Sequence, residues 1–135
     1  QGMPRLHVEV STSTVGGQLY ALLEDCDGGS CIHIGHAIMD LRYHEGGEEL
    51  SSTWTPVFGT ITAMMEFIAM DAEVYAGHTI RLTLLSTGED YLPASTSSIV
   101  TIQEGEGSTL QLDTYLPSNK LTWEPPKCTH EICVT

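Results

Sequence analysis

The sequence predicts an all-β chain folded as an antiparallel sandwich, and three observations carry that expectation. Apolar residues recur with period two along most of the chain, and Gly or acidic residues break these runs at short intervals. The 135 residues, 41% of them apolar, suffice for one domain with one core.

Taken in order, Leu6, Val8 and Val10 alternate with His7 and Glu9, and this first strand runs out in a Ser-Thr-rich stretch before Gly16 and Gly17. Residues 18–25 read as a second strand and 30–41 as a third, joined through Asp27-Gly28-Gly29-Ser30. A polar loop, Glu45-Gly46-Gly47-Glu48-Glu49, leads to residues 51–59 with Trp54 and Pro56. Residues 60–70 are ambiguous, because Ile61, Met64, Met65 and Ile68 also fit helical spacing. The preceding Gly59, the Thr residues and the all-strand context favour a strand, with Met64, Met65 and Met70 filling the core. Residues 79–86 carry Ile80, Leu82 and Leu84 on one face, and residues 98–103 and 108–114 form a last pair around Glu104-Gly105-Glu106-Gly107. The sandwich is thus assigned to residues 4–114. Residues 115–135, Pro-punctuated, form a C-terminal arm, and residues 1–3 are set aside as a tag remnant or a natural start.

Eighteen Asp and Glu face five Lys and Arg, a net charge of −13 with His neutral. Such a surface repels phosphate backbones and anionic lipid, so neither nucleic acid nor membrane is expected as a partner. No window approaches the roughly 18 apolar residues that span a bilayer. The start lacks the basic and apolar regions of a signal peptide. There is no G-x-S-x-G, phosphate loop, H-E-x-x-H or G-x-G-x-x-G entering a helix, and no cofactor is required.

The four cysteines repeat one spacing, Cys26-(x4)-Cys31 and Cys128-(x4)-Cys133. The first pair brackets a tight turn, which places both sulfurs at the mouth of a hairpin within disulfide reach. Two local disulfides imply an oxidising, extracellular setting, and each short loop contributes about 2 kcal/mol. A four-thiolate zinc site is the alternative, poorly matched by x4 spacings so far apart.

Three segments carry a family resemblance. Gly17-Gln18-Leu19-Tyr20-Ala21-Leu22-Leu23-Glu24-Asp25, then Met39-Asp40-Leu41-Arg42-Tyr43-His44, then Val74-Tyr75-Ala76-Gly77-His78-Thr79-Ile80-Arg81-Leu82 occur in that order. Together they resemble the C-terminal non-catalytic domain of the X-Pro dipeptidyl-peptidase and cocaine-esterase family of serine hydrolases. The likeness runs from about residue 4 to 113, and A-G-H-x-I-R-L is its most specific piece. The resemblance implies a jelly-roll β-sandwich of the galactose-binding-like kind that follows an α/β-hydrolase domain in the same polypeptide. The family's catalytic Ser, Asp and His lie in that hydrolase part, so no catalytic residue transfers to this chain. The tail from Tyr115 departs from the family pattern.

Other residues are weighed singly. His33 and His36, three apart in a strand, should point to opposite faces and cannot share a metal without a bulge. His78 reads as a hydrogen-bonding residue that fixes the turn into its strand, with a binding role as the alternative. His44 joins Glu45, Glu48 and Glu49 in an acidic loop, solvated by default or else a calcium site. Glu89 and Asp90 invite the same question. Trp54, Trp123, Tyr91 and Tyr115 are the aromatic candidates for stacking on a sugar, set against packing at strand ends. The leading expectation is an accessory domain packed on a hydrolase domain. Its rivals are a carbohydrate-binding module with possible structural calcium, and a structural subunit assembling through sheet edges or the C-terminal arm.

Overall fold

A computed structural model of the chain describes residues 2–13, 17–45, 60–88 and 99–112. These form two antiparallel sheets facing each other across one apolar core, the sandwich that the alternation predicts. Among them no helix is long and apolar enough to cross a membrane.

The first sheet is built on β1 (Arg5–Thr12), flanked on one side by β4 (Thr60–Glu66) and on the other by β6 (Val100–Gln103) and β7 (Thr109–Gln111). Register decides which residues meet the core. Leu6 lies opposite Met65 and Leu110, Val8 opposite Ala63, and Val10 opposite Ile61 and Ile102, so the inner face is apolar throughout. The outer face pairs Arg5 with Glu66 and His7 with Met64. β4 resolves the ambiguity of residues 60–70. Ala63, Met65 and Phe67, in strand phase, are buried, whereas Met64 and Ile68, which a helix would have placed on its buried stripe, are exposed. The strand ends at Glu66, and Met70 instead pairs with Gly2 through two backbone hydrogen bonds of 3.0 and 2.9 Å. Gly2 therefore takes part in the fold, although it belongs to the three residues that composition alone sets aside.

β6 and β7 correct a second expectation. They do not pair with each other but lie end to end along β1. Glu9 faces Gln103 and His7 faces Thr109, which leaves residues 104–108 looped out opposite Val8. The loop is closed by Ser108, whose Oγ accepts from the Glu9 amide at 3.1 Å and donates to the Gln103 carbonyl at 2.8 Å. Gly105, at φ +138°, holds a conformation open to Gly alone without strain.

The second sheet runs β3 (Ser30–Asp40), β2 (Gln18–Asp27), β5 (Thr79–Leu85). Leu19, Ala21 and Leu23 present its inner face, opposite Met39, Ala37 and Gly35 on β3 and with Leu84 and Leu82 on β5. The β2–β3 hairpin turns through Gly28 at φ +59°, and Cys26 and Cys31, directly opposed, form the expected disulfide with Cα atoms 4.1 Å apart. Cys128 and Cys133 lie outside the described residues.

The hairpin contains an irregularity that alternation does not reveal. Leu23 faces Gly35 while Glu24 faces His33, so Ile34 is an extra residue on β3, a β-bulge that shifts the parity of everything before it. A Cβ at Gly35 would stand 2.9 Å from Met70 Sδ, so the Met70 side chain would have to shift, and 3.7 Å from Phe67, an ordinary contact.

Candidate functional site

Two of the family-like segments meet side by side, because β2 and β5 are neighbours. The chain turns into β5 at residues 75–78, where the His78 amide donates to the Tyr75 carbonyl at 3.1 Å and Gly77 sits at φ +90°. This turn aims His78 at the end of β2. Its Nδ1 donates to Asp25 Oδ1 at 2.9 Å, and its Nε2 lies 3.8 Å from Asp27 Oδ2. Asp25 is 8% exposed and belongs to the core-facing row of β2, so without His78 its carboxylate would be a buried charge lacking that donor. On the opposite face Arg81 donates from Nε and Nη2 to Glu24 Oε2 at 2.9 and 2.7 Å. The Glu-Asp end of the first segment and the His and Arg of the third are thus bonded to one another across adjacent strands.

A carboxylate flanks each ring nitrogen of His78, bonded at Nδ1 and 3.8 Å away at Nε2, and Cys26 on β2 is held in the disulfide. The arrangement ties the turn before β5 to the end of β2.

The other described candidates lie elsewhere. Glu45 is exposed just past the 3-10 turn Leu41–Tyr43. It lines an open cleft of about 610 Å³ with Arg5, His7, Asp40, Tyr43 and Glu66, a mixed-charge recess that no sequence motif announces. His44 departs from the solvated-loop expectation. It is 4% exposed, its Nδ1 donates to the Thr62 carbonyl at 3.3 Å, and its own carbonyl accepts from the Met64 amide at 2.9 Å. His44 ties the turn onto β4. Glu48, Glu49, Trp54, Glu89, Asp90, Tyr91, Tyr115 and Trp123 fall outside the described residues. Among the described residues no group of three or more His, Cys, Asp or Glu is disposed to hold a metal ion.

Asp40 caps the 3-10 turn. Its Oδ1 accepts from the Arg42 amide at 3.0 Å, and both carboxylate oxygens accept from the Arg42 guanidinium. Those guanidinium bonds hold the Asp40 carboxyl below its ordinary value of 3.8, against the opposing effect of partial burial. A depressed folded value means stability that is present above 3.8 and lost as pH falls through the folded value. Asp40→Ala is expected to cost about 1 kcal/mol at neutral pH, a gap from wild type that narrows when urea midpoints are measured in progressively more acid buffer.

His33 and His36 overturn the parity expectation. The bulge at Ile34 restores them to one side, opposite Glu24 and Leu22 on the outer face of the second sheet. His33 Nε2 and His36 Nδ1 stand 3.2 Å apart, and the His36 ring stacks on Tyr20 at a centroid distance of 5.8 Å and an interplanar angle of 21°.

Fold and site together define a two-sheet antiparallel sandwich whose motif side chains brace neighbouring strands. No family model matches the chain, and neither a curated protein nor a solved structure does.

Proposed function

We propose that the chain is a non-catalytic accessory domain, of jelly-roll type, belonging to a secreted serine hydrolase of the X-Pro dipeptidyl-peptidase kind. In this reading it packs on an α/β-hydrolase domain of the same polypeptide and shapes access to the active site, doing no chemistry itself. One observation carries it: the specific polar residues of the family-like segments, Glu24, Asp25, His78 and Arg81, are engaged with each other across β2 and β5. Side chains with that duty set a scaffold's shape, the role this reading gives the domain. The Cys26–Cys31 disulfide accords with a secreted parent.

Assay of the purified chain on X-Pro p-nitroanilides and p-nitrophenyl esters tests the non-catalytic part. The expected result is no turnover above buffer. Turnover that follows the chain through successive orthogonal columns overturns the reading.

A further inference from the structure

We propose that His33 and His36 form a two-nitrogen chelate for a divalent transition ion of the copper, nickel and zinc group. Imidazole is the side-chain ligand these ions share, with Cu²⁺ held most tightly. Metal–nitrogen bonds of about 2.0–2.1 Å, meeting at angles between square and tetrahedral, place the two donor atoms roughly 2.9–3.4 Å apart. His36 Nδ1 and His33 Nε2 share a hydrogen bond of 3.2 Å, a separation inside that bite, and the ion would take the place of the shared proton.

The backbone builds this spacing. In an unbulged strand two residues three apart leave opposite faces of the sheet; the bulge at Ile34 puts His33 and His36 on one. Their mobilities also differ in a useful way. His36 is half-buried and stacked on Tyr20, which fixes one donor, whereas His33 is exposed and free to turn its lone pair from the neighbouring ring toward a shared ion. Glu24 lies directly across from His33 with its Oε2 held by Arg81, so the two imidazoles carry the chelate. The chain's −13 charge favours any cation. Water completes the coordination on the exposed side. The proposal is independent of the accessory-domain reading, and neither stands or falls with the other.

The test is a titration of the oxidised chain with Cu²⁺, followed by calorimetry and by electron paramagnetic resonance. A 1:1 site with two nitrogen couplings is expected at neutral pH. His33→Ala and His36→Ala should each weaken it at least roughly tenfold, or about 1.4 kcal/mol, and remove one nitrogen coupling, while His7→Ala on the other sheet leaves it unchanged. His33 is exposed, so its variant keeps the wild-type far-ultraviolet spectrum and isolates the ligand effect. Absence of a 1:1 site in the wild-type chain, or a site of unaltered strength and couplings in the His33→Ala, His36→Ala double variant, overturns the proposal.

Discussion

Phe67→Ala is expected to lower stability by about 3–5 kcal/mol, the cost of deleting a large buried ring that its surroundings only partly refill. Phe67 is 1% exposed and among the largest fully buried side chains. It lies just past the end of β4, where the chain leaves the first sheet for the second. Its amide donates to the Pro4 carbonyl at 2.9 Å, and the next residue's amide reaches the His36 carbonyl of β3 at 3.3 Å. The ring packs beside Gly35, and Met70 Sδ fills the space that a Cβ on Gly35 would take. Neighbouring Met70, long and unbranched, recovers part of the cavity and sets the lower end of the range. A domain of this size is stable by only about 5–15 kcal/mol, so the variant should unfold at a much lower urea midpoint with an unchanged m-value. A shift smaller than 1 kcal/mol would place the ring outside the core.

His78→Ala is the second large effect, expected at about 2–3 kcal/mol, and it measures the bracing that this histidine supplies. Truncation leaves the Asp25 carboxylate buried in the core-facing row without its 2.9 Å donor, and an orphaned buried charge costs more than the net worth of the bond removed. Asp25→Asn keeps an acceptor for Nδ1–H at nearly the same volume and should cost about half as much. The diagnostic is the ordering of the two variants by thermal midpoint. If His78→Ala melts with wild type, the contact contributes nothing and the bracing role of A-G-H-x-I-R-L is lost with it.

The parts of the fold legible in the sequence are those with a local cause. Alternation in β1 and β5 locates the inner faces because side-chain direction in a strand depends on nothing but parity. The Cys26–Cys31 hairpin is legible because the turn Gly-Gly and the opposed cysteines sit within six residues. The errors come where one residue's placement depends on a distant segment. The bulge at Ile34 sits beside Gly35, whose neighbours Phe67 and Met70 lie more than thirty residues on, and no pattern within β3 announces it. Parity arithmetic then misplaced His33 relative to His36. Residues 104–108 carry the Gly and acidic composition of a hairpin turn, yet β1 is long enough to pair with both flanking strands in succession, and long-range pairing prevailed over local turn chemistry. At the site, Gly77 and His78 were readable as a turn into a strand, while the identity of the partner, Asp25, required the adjacency of β2 and β5.

The accessory-domain claim is tested most directly by the size of the polypeptide to which this sequence belongs. Antibodies raised against the purified chain would recover the native protein from its source for intact-mass measurement and peptide sequencing. The account predicts a secreted polypeptide several times longer than 135 residues, with a G-x-S-x-G peptide N-terminal to the sandwich. A mature protein no longer than the sandwich and its C-terminal arm would contradict it.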